Sequence, residues 1–167
     1  MGDPRKSKKS YHRPRRIWTT DQLNSELYTV GSFGLRNKRE LWKAQTEIAR
    51  FRNQARALLS LATEVRSEKE TRLLRALNRL GLVSESASLD DILNLRIENL
   101  LERRLQTIVM KKSGTKSPHQ ARQVVVHGHV SIGDRIVNLP GYLVKTEEEP
   151  RILLHTSVLG PLNQPAT

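Results

Sequence analysis

Apolar residues recur at helical spacing through the first hundred positions of the chain. A first helix is predicted to begin near Thr19, whose spacing to Gln22 fits a capping box. A longer helix is predicted over residues 37–65, because its apolar positions alternate steps of three and four and form one stripe. The stripe consists of Leu41, Ala44, Ile48, Phe51, Ala55, Leu58, Ala62 and Val65.

Two further helical starts follow before residue 100. Ser67 and Glu70 have capping-box spacing, and Gly81 stands where a glycine would end that helix. Ser88 and Asp91 predict the next start. In the first helix the inward positions are expected to be Leu23, Leu27 and Val30. The pattern therefore predicts a helical domain over residues 19–99.

The pattern changes character after Asn99. Residues 100–109 are predicted to form one helix, and residues 111–116 a basic loop. The run from Ser117 through Pro118 to Gln120 is a strong helix start, because serine can cap and proline suits the first helical position. The inward residues of these two helices are expected to be Leu101, Leu105, Ile108, Val124 and Val125.

Short β-rich segments follow the second of these helices. Residues 129–132 and 135–137 read as strands joined by a tight turn at Gly133-Asp134. Residues 142–144 and 151–154 supply further strands. The predicted fold class is α+β, with the helical domain followed by a small domain of two helices on an antiparallel sheet. The boundaries place a basic disordered arm at 1–18, the small domain at 100–156 and a C-terminal tail at 157–167.

Charge identifies the class of partner. The 167 residues carry 29 Lys+Arg and 17 Asp+Glu, a formal net charge of +12, with no cysteine. The positive charge is concentrated in residues 1–18 and 101–145, which hold +6 each, whereas residues 61–100 hold −1. A polyanion is therefore the expected partner. The composition argues against disulfides, a thiolate zinc site, a secretory signal and membrane insertion, and indicates a cytoplasmic protein.

Two basic stretches of the N-terminal half are candidates for contact with that polyanion. The arm, with Arg13, Arg15 and Arg16, lacks apolar periodicity and is expected to order only against its partner. The alternative is a tail that only aids solubility. On the long helix, the side opposite the apolar stripe carries Arg39, Lys43 and Arg50. These residues can follow a phosphate backbone, although a plain solvated face is an equal alternative.

Catalytic and metal-binding motifs are missing from the sequence. No glycine-flanked serine elbow, phosphate-binding loop or dinucleotide fingerprint is found. His127 and His129 are the one metal-like pair, but Gly128 is expected to end a helix between them and turn them apart. The three acids at residues 147–149 are expected to solvate a surface loop. We therefore expect no enzymatic activity, no cofactor and no metal.

The densest basic cluster lies in the small domain. It consists of Arg103, Arg104, Lys111, Lys112, Lys116, Gln120, Arg122 and Arg135. On a continuous helix over 100–109, Arg103 and Gln106 turn away from the core and Arg104 lies at its edge. Arg122 is expected to face outward from the next helix. A flat basic face of this kind suits RNA, which proteins read largely through shape, phosphate and 2′-hydroxyl groups. Charge alone does not separate RNA from DNA.

Three motifs of the small domain resemble a known family. They are residues 101–107 (LERRLQT), 117–123 (SPHQARQ) and 126–130 (VHGHV), which look like the RNA-binding domain of the small-subunit ribosomal protein four family. Residues 31–42 (GSFGLRNKRELW) resemble the archaeal and eukaryotic-cytosolic members, and residues 15–18 (RRIW) look like the archaeal type. The resemblance covers nearly the whole chain.

This resemblance implies a structural protein that binds small-subunit ribosomal RNA early, nucleates assembly of the subunit body and contributes to translational accuracy. It also implies a cytoplasmic location in the small ribosomal subunit, contact with neighbouring ribosomal protein five and a position near the path by which mRNA enters. The positions that match the family's RNA contacts are Arg103, Arg104, Lys116, Arg122 and His127. The alternative is an RNA-modifying enzyme or a stand-alone RNA-binding factor that uses the same small domain.

Overall fold

A computed structural model describes residues 9–155 of the chain. In chain order the elements are α1 (Thr20–Ser32), α2 (Lys38–Leu59), α3 (Thr63–Arg79), α4 (Leu89–Asn94), α5 (Ile97–Glu102), α6 (Leu105–Ser113), α7 (Pro118–Val126), β1 (Val130–Ile132), β2 (Arg135–Ile136), a 3-10 turn (Glu149–Arg151) and β3 (Ile152–Leu154). The α+β fold class is confirmed, because helices precede a single three-stranded antiparallel sheet.

The long second helix is shorter than its apolar stripe predicts. It ends at Leu59 and α3 begins at Thr63, so the prediction of one helix over 37–65 is wrong. The chain reverses between them because α3 packs back on α2, and Leu58 and Leu77 are buried in the same core. Val65, the last member of the stripe, is consequently 48% exposed.

The predicted capping boxes have different outcomes. At Ser88 the prediction is confirmed, because the Ser88 backbone N–H donates to the Asp91 carboxylate at 2.8 Å. At Ser67 it is wrong, because that residue lies inside α3 and donates its hydroxyl to the carbonyl of Glu64. Thr19 does precede α1, but its hydroxyl donates to the carbonyl of Arg16 and caps nothing.

The buried face of α1 centres on a charged residue. Glu26 is only 4% exposed, whereas Leu27, predicted to face inward, is 52% exposed. The Glu26 carboxylate lies 3.0 Å from the ammonium of Lys38 and accepts a hydrogen bond from the indole N–H of Trp42 at 3.3 Å. Burial raises the pKa of Glu26, but the bonds from Lys38, Gln22 and Trp42 outweigh it and hold that pKa below 4.5.

We expect Glu26→Gln to lower the free energy of unfolding by about 1–2 kcal/mol at neutral pH, because an ion pair and a charge-assisted bond are lost. The pKa of Glu26 is lowered on folding, so its contribution is present above the unfolded pKa and is lost as pH falls through the folded one. Urea unfolding of both proteins should therefore show the difference shrinking toward zero below about pH 4. A difference that persists at low pH would contradict this.

The N-terminal helices enclose one apolar core. α2 contributes most of its buried side chains, and α4 and α5 pack against its inner face. The buried members are Leu35, Leu41, Ala44, Ile48, Phe51, Ala55, Leu58, Leu77, Leu82, Leu89, Ile92, Leu95, Leu100 and Leu101. Short connections at the positive-φ residue Gly81 and around Ser84 join α3 to α4, and both helices bury side chains in this core, which agrees with the compact helix packing that the sequence predicts.

The small domain packs α6 and α7 on the sheet. The strand order is β2-β1-β3, with Ile132 paired to Arg135 across the Gly133-Asp134 turn, so the predicted hairpin is confirmed. Ser117 accepts a hydrogen bond from the backbone N–H of Gln120, which confirms the predicted start of α7. The second core consists of Leu105, Ile108, Val109, Ala121, Val124, Val125, Val130, Val144 and Ile152.

Two predicted elements of this domain differ from the structure. The helix predicted over 100–109 is two helices, since α5 ends at Glu102 and α6 begins at Leu105. The strand predicted over 142–144 is reduced to one isolated bridge between Leu143 and Arg104. Both differences have one cause, because the opened backbone at Arg103-Arg104 pairs with this segment: the Val144 N–H donates to the carbonyl of Arg103 at 3.0 Å.

The two cores meet at this break in the chain. Leu100 and Leu101 belong to the first core and Leu105 to the second. The domain boundaries drawn from the sequence stay predictions. Of the arm predicted over 1–18, only residues 9–18 are described. The C-terminal tail predicted over 157–167 lies outside the described residues.

Candidate nucleic-acid interface

Glu40, on the first turn of α2, holds two arginines of the small domain. Arg122 of α7 binds it in bidentate fashion, with N···O distances of 2.9 and 3.3 Å. Arg104, from the break between α5 and α6, donates to the same carboxylate at 2.8 Å. The Arg104 side chain is 9% exposed and that of Arg122 is 20% exposed, so both guanidinium groups are largely withdrawn from solvent.

This arrangement determines the charge state of Glu40. Burial raises the pKa of the carboxyl group, and the hydrogen bonds from Arg122 and Arg104 and their positive charges lower it. The arginines prevail, so the pKa lies below the usual value of 4.5. One carboxylate therefore stays ionised between two cations, and the cluster keeps a net charge of about +1.

Gln106 completes the junction between the two domains. Gln106 is only 1% exposed. Its side-chain NH2 group donates to the carbonyls of Phe33, Gly34 and Pro118 at 3.0–3.1 Å. Its carbonyl oxygen accepts from Arg122 at 3.2 Å. A single amide thus joins the end of α1, the start of α7 and the arginine cluster, which gives the domains a defined relative orientation.

Arg103 forms a second link across the junction. Its guanidinium donates to Glu149 at 2.7 Å and to the carbonyl of Val144 at 3.2 Å. It also packs beside Gly81, where an added Cβ would lie 3.0 Å from the guanidinium. Nearby, the hydroxyl of Thr146 donates to the carbonyl of Arg79 at 3.3 Å.

The predicted orientations of these residues are wrong. Arg103 does not turn outward, Gln106 is buried, and Arg122 faces the helical domain instead of solvent. The physical reason is the helix break, which places Arg104 in extended backbone after the last turn of α5 and resets the helical phase from Leu105 onward. A continuous helix predicts that substitution of Arg103 changes RNA binding alone. Because the Arg103 side chain is engaged within the protein, its substitution should also lower the stability of the free protein. RNA contact by Arg103, Arg104 and Arg122 stays a prediction.

The basic side of α2 is exposed as predicted. Arg39 and Lys43 are exposed, and Arg50 makes only a weak pair with Glu47 at 3.4 Å. Lys43 lines a cleft of about 310 Å³ between the domains, together with Arg104 and Arg122. The structure therefore brings one α2 cation to the arginine cluster, while Arg50 lies on a separate part of the helix.

Residues 9–18 follow a defined course along α2, although they form no helix or strand. The Tyr11 ring lies 6.0 Å from that of Trp42, and the His12 N–H donates to Thr46 at 2.9 Å. The basic side chains of this segment, Arg13, Arg15 and Arg16, are exposed. Trp18 is 84% exposed beside them, which offers a free aromatic face.

The loop after α6 is basic but partly engaged. Lys111 lies 3.2 Å from Glu102, with both side chains more than half exposed, and Lys112 donates to the carbonyl of Glu149. Lys116 keeps an exposed side chain while its backbone N–H donates to the side chain of Gln120 at 3.2 Å. The structure thus places Lys116 and Gln120 together at the start of α7.

At the other end of α7 the two histidines lie side by side. The sequence predicts that Gly128 turns His127 and His129 apart, and this is wrong. Gly128 has a φ of +77°, and the two imidazole planes are within 3° of parallel with centroids 6.3 Å apart. His127 shares a surface cavity with Gln120, whereas the exposed Arg135 lies on β2.

Sequence reasoning missed Glu40 and Gln106 because both are polar residues outside any apolar pattern. A signal for Glu40 was present, since it is the only acid among four cations in residues 31–46. An isolated acid in a basic stretch is a candidate partner for a distant arginine. Gln106 carried no such signal, because its burial depends on the helix break.

No helix in residues 9–155 is long and apolar enough to span a membrane. In that same stretch no three side chains of the metal-ligating types His, Cys, Asp and Glu are grouped to hold an ion.

Comparison with known families divides the chain at the helix break. Residues 5–102 match the profile of the ribosomal protein S4/S9 N-terminal domain, and residues 103–150 match the S4 domain. The junction between the two matches falls where α5 ends and the paired arginines begin. The Glu40 cluster therefore joins two recognised domains.

Several curated archaeal proteins are similar over most of the chain. The small ribosomal subunit protein uS4 of Cenarchaeum symbiosum is 58% identical over 92% of this chain and 75% of its own length. Those of Nitrosopumilus maritimus and Hyperthermus butylicus are 55% and 52% identical, over 91% and 89% of this chain and 76% and 85% of theirs. With both domain profiles matched in order and more than half of the aligned residues identical to those of each of these relatives, the chain belongs to the small ribosomal subunit protein uS4 family.

Proposed function

We propose that the chain is a structural, non-catalytic protein of the small ribosomal subunit that binds the subunit's RNA directly. Membership of the uS4 family supports this role, as does the S4 domain over residues 103–150. The two matched domains occupy residues 5–150, and the relatives described above are ribosomal proteins. Both facts favour the structural role over an RNA-modifying enzyme or a stand-alone factor.

The observation that carries the proposal is the distribution of unpaired cations. Within residues 9–155, one set of the predicted contacts is exposed and absent from every ion pair. This free set consists of Arg13, Arg15, Arg16, Arg39, Lys43, Lys116 and Arg135. Cations that already hold a carboxylate gain less from a phosphate, so the free set is expected to supply most of the electrostatic binding.

The paired residues have a different role in this proposal. Arg103, Arg104 and Arg122 fix the S4 domain on the N-terminal domain, so that both present their free cations to one RNA. Lys111, Lys112 and Arg50 are exposed with weak partners and act as secondary contacts. His127 and Gln120 contribute polar and stacking contacts.

The finer parts of the role rest on the family resemblance. We propose that the protein binds early, nucleates assembly of the subunit body and contributes to translational accuracy. Contact with small-subunit ribosomal protein five and a position near the path by which mRNA enters belong to the same proposal. These five features follow together if the chain occupies the family's position in the subunit.

Replacing Arg13, Arg15 and Arg16 together by glutamine should weaken binding to small-subunit ribosomal RNA about tenfold. Each lost phosphate contact reduces the salt slope of log K by about 0.7–0.9, so the slope should fall by roughly two. Titration of the RNA at several salt concentrations measures both quantities. Thermal unfolding of the free protein should be unchanged, because these side chains are exposed and unpaired.

A matched control lies on α3, where a triple change of Arg66, Arg72 and Arg75 to glutamine removes the same charge. This helix belongs to the balanced stretch over residues 61–100, and two of these arginines already pair with Glu70 and Glu68. Its salt slope should stay near that of the wild type. Equal losses in the two triple variants would mean that only net charge matters and that the proposed set is wrong.

Sedimentation of the tagged chain from a cell lysate tests the role as a whole. A resident ribosomal protein should travel with the small subunit and remain there after a moderate salt wash. A predominantly free pool would instead support the stand-alone factor and contradict the structural role.

A further inference from the structure

The histidine pair at the end of α7 forms a feature that RNA binding by charge does not require. The imidazole planes of His127 and His129 are within 3° of parallel, and their centroids are 6.3 Å apart. Bases stacked in a duplex are about 3.4 Å apart, so a base held between two rings needs about 6.8 Å. Parallel rings whose centroids lie 6.3 Å apart are separated by at most that distance between their planes, so the exposed His127 ring must swing outward to admit a base.

The surroundings of the two rings suit a flat polar ligand. A surface cavity of about 210 Å³ is lined by both imidazoles, Gln120, Gln123 and Val124. The Gln120 carbonyl accepts from the Lys116 N–H, which leaves its NH2 group available as a donor. Gln123 is exposed and can both donate and accept. A base edge presents donors and acceptors of the kind that two amides can meet.

A metal ion would find too few ligands at this pair. Residues 9–155 bring no third ligating side chain to His127 and His129.

We propose that His127 and His129 form a slot that holds one unpaired nucleobase, with Gln120 and Gln123 contacting its edge. This inference rests on the proposed RNA-binding function and adds a binding mode to it. Stacking between two rings recognises a base that is flipped out of a helix or bulged, and requires no particular sequence. The slot thus directs the S4 domain to an irregularity in the RNA, which charge alone does not do.

The test uses the full chain and two RNA hairpins that differ at one position. One hairpin carries a single bulged 2-aminopurine nucleotide, and the other has an abasic residue at that bulge. The wild type should bind the first about tenfold more tightly, since base–aromatic stacking supplies a factor of about 5 to 150. The 2-aminopurine fluorescence should be quenched on binding, because the base stacks between rings.

Variants separate the slot from general electrostatics. A double change of His127 and His129 to alanine should remove the preference for the base, while the same double change to phenylalanine should retain it by keeping two aromatic faces. His119→Ala is the matched control, because His119 is exposed on the first turn of α7 and does not line the cavity. It should retain the full preference.

The possible outcomes distinguish the slot from the wider function. Equal affinity of the wild type for the two hairpins, with RNA binding intact, would overturn the slot and leave the proposed function standing. This comparison needs no variant and so does not depend on how the substitutions fold. Failure of the wild type to bind either hairpin, with small-subunit ribosomal RNA still bound, would likewise overturn the slot alone, whereas loss of binding to the ribosomal RNA as well would overturn both.

Discussion

Replacing Glu40 by glutamine should lower the free energy of unfolding by about 2–3 kcal/mol at neutral pH. The change removes the carboxylate that binds both Arg104 and Arg122 and leaves two guanidinium groups close together at the domain junction. Breaking a fully buried ion pair from one side costs about 3–5 kcal/mol, and the partial exposure of this cluster reduces that figure. Urea unfolding followed by circular dichroism measures the effect.

Glu68→Gln is the matched control for this substitution. Glu68 also pairs with an arginine, Arg72, but both side chains are about four-fifths exposed. Exposed pairs contribute little, so the change should stay within about 0.5 kcal/mol of the wild type. Similar effects at Glu40 and Glu68 would mean that the junction cluster does not hold the domains together.

Gly34→Ala should be at least as damaging, with an expected loss of about 3 kcal/mol or more. Gly34 has a φ of +58°, and an added Cβ would lie 2.5 Å from Pro118 Cβ and 2.9 Å from Gln106 Nε2. A left-handed conformation costs a non-glycine residue about 1–2 kcal/mol, and overpacking adds about 1–3 kcal/mol. The methyl group would also push apart the two domains that Gln106 joins. The free energy from urea unfolding is again the measurement.

Gly133→Ala separates backbone strain from the clash. Gly133 has the same φ of +58° but nothing within 4 Å of an added Cβ, so only the conformational cost remains. We expect a loss of about 1–2 kcal/mol there. Equal free energies of unfolding for the two alanine variants would contradict this account, because they would mean that the clash between an added Cβ at Gly34 and Pro118 costs nothing.

Local patterns in the sequence predicted most of the secondary structure. Ser117 and Pro118 specify the start of α7, and Gly133-Asp134 specifies the hairpin, because capping and turn geometry depend on adjacent residues alone. The apolar stripe from Leu41 to Leu58 identifies the inner face of α2 for the same reason. The α+β class follows from these elements.

The errors arise where distant residues determine the structure. The chain breaks at Arg103-Arg104 because residues 143 and 144 pair with its backbone and because Glu40 and Glu149 bind the two side chains. No helical periodicity contains that information. Glu26 is a similar case, since its burial depends on Lys38 and Trp42 of the next helix.

The contacts between distant residues also divide the basic residues into two groups. A count of charges treats Arg104 and Lys43 alike, but the first is held by a carboxylate and the second is free at the edge of the same cleft. We therefore assign the interior arginines to domain orientation and the free cations to RNA. Substitution of an interior arginine should lower the free energy of unfolding. Substitution of a free cation should instead weaken RNA binding and reduce its salt dependence.

Ultraviolet crosslinking of native small subunits, with sequencing of the RNA and mass spectrometry of the attached peptides, tests the proposed function most directly. The chain should crosslink to small-subunit ribosomal RNA. The crosslinked peptides should come from residues 9–18, from the start of α2 around Arg39 and Lys43, and from residues 116–135. Crosslinks confined to α3, or the absence of ribosomal RNA from the crosslinked material, would contradict it.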